Sequence, residues 1–158
     1  MQLTNSRMAS AMTCPQKHHF QFMLGRVPIQ TSEALYFGRL WHKAMEAWWN
    51  PLFQEHSETA RFQKALGVAK EMAGENYDAY AWAKFASMLA GYAARWGGQE
   101  YKTIAVEKPF TVPILDKSGR ASDYWELAGT IDKIVADKDG HLFIVEHKTS
   151  SENTELGS

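Results

Sequence analysis

The hydrophobic pattern of this chain changes its period near residue 100. Before that point, apolar residues such as Leu40 and Trp48 recur at three- and four-residue spacings. After it, apolar and polar residues alternate, and residues 102–112 are rich in Ile, Val, Phe and Thr. The first pattern is typical of helices and the second of strands. We therefore predict one mixed α+β (α/β) domain over residues 1–150, with a helical part over 1–100 packed on a small, mostly antiparallel sheet over 101–150, and a polar tail over 151–158.

The composition excludes several classes of protein. With 158 residues and 45% hydrophobic side chains, the chain is that of an ordinary globular domain. The formal net charge of −1 produces no strong overall field toward nucleic acid or acidic lipid. The single cysteine, Cys14, excludes an internal disulfide and a four-cysteine metal site. Because no run of eighteen apolar residues occurs, we expect no membrane segment. A single cysteine fits a reducing compartment, so we expect a cytoplasmic location.

Capping and helix-breaking residues divide the chain into elements. Ser, Asn and Asp begin the expected helices, and Pro and Gly end them. The predicted helices cover about residues 6–14, 16–24, 32–49, 57–73 and 78–96. The predicted strands cover residues 102–112, 125–136 and 141–148. Pro109 indicates that the first strand is bulged, bent or at a sheet edge.

The turn between the last two strands determines which residues face each other. If Lys138, Asp139 and Gly140 form a three-residue loop with Gly in the left-handed conformation, Asp137 pairs with His141. The same register places Asp132 opposite Glu146. A four-residue loop would shift the register by one residue and put these two acids on opposite faces.

Two facing carboxylates predict a metal site. Side chains directly opposite on neighbouring strands are about 5 Å apart at Cβ, so Asp132 and Glu146 repel each other unless a cation neutralises them. Oxygen ligands suit Mg²⁺ or Mn²⁺. Lys148 lies two residues after Glu146 and therefore points to the same face. An acidic pair, a metal and a lysine are the parts that phosphodiester hydrolysis requires.

These residues resemble the core motif of a known enzyme superfamily. Gly129-Thr130-Ile131-Asp132, followed by Ile144-Val145-Glu146-His147-Lys148-Thr149, resembles the PD-(D/E)XK nucleases, with Glu146-His147-Lys148 as the acid-x-Lys element. The chain is most similar to the RecB-like and CRISPR-adaptation-type branch. Further matches to that branch are Ser6, Ser10, Cys14-Pro15, the Gly38-x-x-x-His42 spacing and Glu107.

The resemblance implies a restriction-endonuclease-like fold and a set of roles. The metal ligands would be His42, Asp132, Glu146 and the backbone carbonyl of His147. Lys148 would be the catalytic lysine, and Glu107 would support the site or a second metal. A histidine among oxygen ligands favours Mn²⁺ over Mg²⁺. The implied function is a metal-dependent DNA nuclease, an exonuclease of phage, repair or recombination type, with DNA as substrate and a helicase or recombination protein as partner.

The sequence departs from the family pattern after Lys148. The family continues with a helix bearing Gln-x-x-x-Tyr and a further strand, so we expect this chain to be the front part of a longer nuclease domain. Relatives with an iron–sulfur cluster use one N-terminal and three C-terminal cysteines; Cys14 matches only the first, and no cluster is expected within this chain.

Other interpretations of the same residues stay open. The chain could be a non-catalytic DNA- or protein-binding domain, an inactive fragment, or a homo-oligomer whose copies complete each other's sheets. Asp132 and Glu146 could be exposed strand residues, His42 a core histidine, and Glu107 a surface charge. The side chain of His147 is expected only to face solvent on the far side of its strand.

Overall fold

The computed structural model of the chain describes residues 1–29, 32–75, 77–99 and 101–149. The predicted polar tail, residues 151–158, lies outside these ranges. The chain divides into two compact units. Unit 1 comprises Met1–Thr31 and Lys108–Ile131, and unit 2 comprises Ser32–Glu107 and Asp132–Ser158. Helices and a four-stranded, mostly antiparallel sheet make up the described chain, so the predicted mixed α+β class is confirmed.

Unit 1 begins with a short strand and short helices. These are β1 (Gln2–Leu3), α1 (Asn5–Thr13), α2 (Pro15–His18) and a π-helical turn at His19–Met23. Helix α1 begins one residue before the predicted start, and its cap is Thr4, whose Oγ1 accepts the N–H of Arg7 at 3.2 Å. Of the predicted helix over 16–24, only the part up to His18 is α-helical, and the residues after it form the π-helical turn.

Two long strands run through both units. They are β2 (Lys102–Leu115) and β3 (Ala121–Ala136), and both are longer than predicted. The turn between them is closed by the N–H of Asp116, which donates to the carbonyl of Arg120 at 2.9 Å. Strand β1, which the sequence pattern did not predict, pairs in parallel with β3, with Gln2 opposite Glu126. The strand order is β1-β3-β2, and β4 also pairs with β3.

Unit 2 contains the longer helices. These are α3 (Glu33–Trp48), α4 (Glu58–Ala73) and α5 (Ala79–Trp96). Ser32, Ser57 and Asp78, which stand at the predicted starts of these helices, cap them, since each side chain accepts a backbone N–H from the first turn. No helix within the described ranges is both long and apolar enough to cross a lipid bilayer.

The core of unit 2 is formed by α3, α4 and α5 and is rich in large aromatic residues. Trp48, Trp49 and Phe85 are fully buried, and each such side chain stabilises the fold by roughly 1.5–3 kcal/mol. The indole N–H of Trp49 donates to the hydroxyl of Tyr92 at 2.8 Å. This hydrogen bond satisfies a polar group in the interior and fixes the relative orientation of the two rings.

The last hairpin has the predicted register. Strand β4 (Leu142–Val145) is antiparallel to β3, with Lys133 opposite Val145 and Ala136 opposite Leu142. Gly140 has a φ of 84°, and the N–H of Asp137 donates to the carbonyl of His141 at 3.0 Å. The three-residue loop is therefore confirmed. The strand ends at Val145 rather than at Lys148, so the acid-x-Lys element lies just beyond the ladder.

Candidate metal centre

Three potential ligands from three elements of unit 2 meet at one point. His42 comes from the middle of α3, Glu107 from β2 and Asp132 from β3. His42 Nδ1 lies 3.5 Å from Glu107 Oε1 and 3.6 Å from Asp132 Oδ1. These separations are too long for good hydrogen bonds. The three ligand atoms lie within 4.8 Å of one another, so a single ion can contact all of them.

The backbone of Glu107 has an uncommon conformation. Its φ is 45°, and among the described residues it is the one non-glycine residue with positive φ. For an L-residue this left-handed conformation costs roughly 1–2 kcal/mol. The irregularity lies two residues before Pro109, and β2 stands at the end of the strand order, as Pro109 indicated. Backbone strain of this kind concentrates at functional sites.

The carboxylates of the cluster have different environments. Asp132 is held by the main-chain N–H of His147, which donates to its Oδ2 at 2.7 Å. Burial raises the pKa of Glu107, repulsion from Asp132 raises it further, and attraction to His42 opposes both effects. Two carboxylates this close together repel each other, and a cation between them would reduce that repulsion. The donor set therefore fits a divalent ion.

Glu146 and Lys148 lie outside this three-residue cluster. Both side chains are exposed, and Lys148 Nζ donates to Glu146 Oε1 at 2.5 Å. This hydrogen bond lowers the pKa of Glu146 and raises that of Lys148. The structure thus brings together His42, Glu107 and Asp132, and it pairs Glu146 with Lys148.

The His147 side chain is buried, whereas the sequence pattern suggested a solvated one. The residue is 9% exposed, and its ring packs edge-on against Tyr92 with centroids 5.9 Å apart. Burial, reinforced by the neighbouring Lys133, lowers its pKa to about 4. His147 lies on the same side of the chain as half-buried Val145, the last residue of β4. The alternation of Glu146, His147 and Lys148 already indicated that His147 lies on the face opposite the two charged residues.

Lys133 is a buried residue that the sequence analysis did not single out. It follows Asp132 on β3, is 2% exposed, and lies over the Trp49 ring. Burial lowers its pKa to about 8. Neighbouring residues of a strand point to opposite faces, so a functional Asp132 on one face indicated that Lys133 lies on the other.

A cleft of about 480 Å³ borders the cluster. His42 and Glu107 contribute to its wall, together with Arg39, Lys43 and Thr149. Gly38 lies one helical turn before His42, and a Cβ there would be 3.7 Å from Thr149 Oγ1, an ordinary contact. The two cationic side chains are suited to phosphate oxygens, although Lys43 also pairs with Glu46 at 2.7 Å.

A second group of potential ligands lies in the last hairpin. Asp137, Asp139 and His141 also place one ligand atom each within 4.8 Å of the others. Asp137 accepts the N–H groups of Asp139 and His141, each at 2.9 Å, so its carboxylate closes the turn. Hydrogen bonds from His141, Asp139 and Gly140 outweigh desolvation and lower its pKa. The turn geometry accounts for this group.

The fold and the cluster together define a mixed α+β protein with a His–carboxylate cluster whose donor set fits a divalent cation. The chain matches the family model of the PD-(D/E)XK nuclease superfamily over residues 2–157. It therefore belongs to that superfamily, whose members are nucleases that use divalent metal ions. A search of curated proteins gives no match.

Proposed function

We propose that this chain carries the active site of a divalent-metal-dependent DNA exonuclease that hydrolyses phosphodiester bonds. The observation that carries the proposal is the meeting of His42, Glu107 and Asp132 at one point of unit 2. Membership of the nuclease superfamily supplies the reaction class. Mg²⁺ or Mn²⁺ would serve, and the imidazole ligand favours Mn²⁺.

The residues divide the work by position. His42 and Asp132 would hold the ion, and Glu107, next to both, would be a further ligand. The register of the hairpin puts Glu146 opposite Asp132, so rotation of its exposed side chain would add a fourth group. The carbonyl of His147 is the remaining proposed ligand. A bound divalent ion supplies positive charge that stabilises the phosphate oxygens and lowers the pKa of water.

Lys148 is the proposed catalytic lysine. Its side chain is exposed, and the hydrogen bond to Glu146, followed by attraction to Glu146 and Asp132, raises its pKa. A protonated ammonium at this position stabilises developing negative charge and orients the attacking water.

The RecB-like branch is supported by the position of its motifs. Gly38 and His42 lie one turn apart on α3, and Glu107 contacts the same cluster. Cys14 caps α2, because its Sγ accepts the N–H of Lys17 at 3.4 Å. The sulfur therefore has a local role, and no iron–sulfur cluster is proposed. A helicase or recombination partner and a cytoplasmic location are part of this proposal.

The test is cleavage of DNA by purified protein with Mn²⁺. Asp132→Ala and Lys148→Ala should each abolish release of nucleotides from linear duplexes. Asp123→Ala and Lys117→Ala, which remove exposed charges outside the cluster, are the matched controls. A covalently closed circle should resist an exonuclease. Normal cutting by both site variants would refute the active-site assignment.

A second candidate function is a DNA- or protein-binding module without catalysis. The observation that favours it is the placement of Glu146, whose carboxylate pairs with Lys148 instead of joining the cluster. Calorimetric titration with Mn²⁺ separates the two functions. Binding that depends on Asp132, together with turnover, supports the nuclease; DNA binding without metal uptake or turnover supports the module. Light scattering would test the homo-oligomer.

A further inference from the structure

The segment Glu146–Lys148 presents two different faces. Glu146 and Lys148 are exposed, with relative side-chain exposures of 63% and 75%, whereas His147 between them is buried. On β3 the same division holds, since Asp132 belongs to the cluster while Lys133 is buried on the opposite face of the strand. One face carries the charges of the proposed site, and the other packs on the aromatic core.

Few described contacts hold this segment in place. The β3–β4 ladder ends at the pair Lys133–Val145, one residue before Glu146. Beyond it, the N–H of His147 donates to Asp132 Oδ2 at 2.7 Å, and the imidazole ring packs against Tyr92. Tyr92 is itself fixed by the hydrogen bond from the Trp49 indole. The His147 ring is thus the side chain that connects the acid-x-Lys segment to the core.

The His147 ring is held in place by packing against Tyr92 rather than by a hydrogen bond from its Nε2 atom. His147 Nε2 is buried and has no hydrogen-bond partner among the described residues. An unsatisfied buried nitrogen costs free energy, so hydrogen bonding by this atom does not explain the position of the ring. Edge-on packing against an aromatic ring is favourable and directional.

We propose that the His147 imidazole is a positioning residue: its packing against Tyr92 fixes the main-chain N–H that holds Asp132 and directs Glu146 and Lys148 to the metal face. The inference rests on the proposed function. It goes beyond the role assigned to His147 from sequence, which concerned only its backbone carbonyl. Side-chain variants leave that carbonyl in the chain and therefore test the ring alone.

The experiment measures Mn²⁺ affinity by calorimetry, well below the Tm of every variant, and kcat and KM for linear DNA. Since residues that orient ligands typically contribute 10–100-fold to metal affinity or activity, His147→Ala should weaken Mn²⁺ binding about tenfold or more and lower kcat. KM for DNA should change little. His147→Phe, which restores an aromatic ring, should recover most of both losses. His147→Leu should be intermediate, and it replaces the alanine variant if that does not fold.

Val145→Ala is the matched control. Val145 lies on the same side of the strand as His147, and neither the His147–Tyr92 contact nor the hydrogen bond to Asp132 involves its side chain. It should lower Tm without changing Mn²⁺ affinity. Equal affinity losses in Val145→Ala and His147→Ala at equal Tm would overturn the inference, and so would failure of His147→Phe to recover binding.

The same titrations distinguish this inference from the proposed function. If Asp132→Ala leaves Mn²⁺ affinity unchanged, the proposed metal site is wrong. If Asp132→Ala abolishes binding while His147→Ala binds as the wild type does, the metal site stands and only the positioning role is refuted.

Discussion

The ammonium nitrogen of Lys133 lies 3.5 Å from the centroid of the Trp49 indole ring, inside the core of unit 2. No carboxylate among the described residues forms an ion pair with this lysine, and His147 is a titratable neighbour on the same face. Attraction between a cation and the indole face offsets part of the desolvation cost. Because burial still lowers the pKa to about 8, the stability of the fold depends on pH.

The first prediction concerns Lys133→Met. Between the folded pKa of about 8 and the ordinary value of 10.5, the unfolded chain binds a proton at Lys133 that the folded chain does not. The free energy of unfolding therefore rises with pH through this window. In Lys133→Met that rise should be absent. Urea unfolding of both proteins at pH 7.5 and pH 9.5 measures it.

Lys102→Met, which removes an exposed lysine of β2, is the control for this comparison. It should have the same pH dependence as the wild type. Parallel pH profiles for the wild type and Lys133→Met would show that the ammonium is not perturbed by the core.

The second prediction separates the backbone of Glu107 from its carboxylate. With φ at 45°, a glycine at this position avoids the steric penalty that alanine retains. Without metal, Glu107→Gly should be more stable than Glu107→Ala by about 1 kcal/mol. Both variants should lose Mn²⁺ affinity, because both lack the carboxylate. Denaturant unfolding and calorimetry measure the two effects. If Glu107→Ala were more stable than Glu107→Gly, the backbone at this position would not be strained.

Local sequence patterns predicted much of this fold, because helix caps and tight turns depend on interactions between residues a few positions apart. Ser32, Ser57 and Asp78 cap helices through hydrogen bonds to residues three positions later, so their role is visible in a short window. Gly140 determined the last hairpin in the same way, and with it the register that places Asp132 near the acid-x-Lys segment. Each of these predictions needed only neighbouring residues.

Features that depend on distant partners were not predictable in this way. Strand β1 is two residues long and is defined by pairing with Glu126 and Leu127, far along the chain. The burial of His147 and Lys133 depends on rings supplied by Tyr92 and Trp49. The contact between Glu107 and His42 involves a glutamate in the left-handed backbone conformation, which local sequence rules do not predict for this residue type.

The third prediction concerns His42 as a ligand. Its Nδ1 lies between the carboxylates of Glu107 and Asp132, so His42→Ala should weaken Mn²⁺ binding about tenfold or more. His141→Ala removes a histidine from the second acidic group in the hairpin and is the matched control. Calorimetric titration at pH 7.5 compares them. An equal loss in His141→Ala would place the ion in the hairpin.

The fourth prediction uses the pKa of Glu107. A metal ligand must be deprotonated, and burial raises the pKa of this carboxyl above its ordinary range. Mn²⁺ affinity should therefore fall, as pH is lowered, at a higher pH than an ordinary glutamate would give. In Glu107→Gln this part of the pH dependence should disappear, leaving a weaker affinity with a flatter profile. Titrations between pH 4.5 and 7.5 measure the difference, and a wild-type profile in Glu107→Gln would contradict it.

The last prediction concerns Gly129, the first residue of the Gly-Thr-Ile-Asp motif. In unit 1, a Cβ at this position would lie 2.8 Å from Cε1 of Phe110, closer than packed atoms allow. Gly129→Ala should therefore destabilise the protein by about 1–3 kcal/mol through overpacking. Phe110→Leu shortens the opposing side chain, so the double variant should be more stable than the sum of the two single changes predicts. Denaturant unfolding of the four proteins gives the coupling free energy, and strict additivity would show that the ring moves aside without cost.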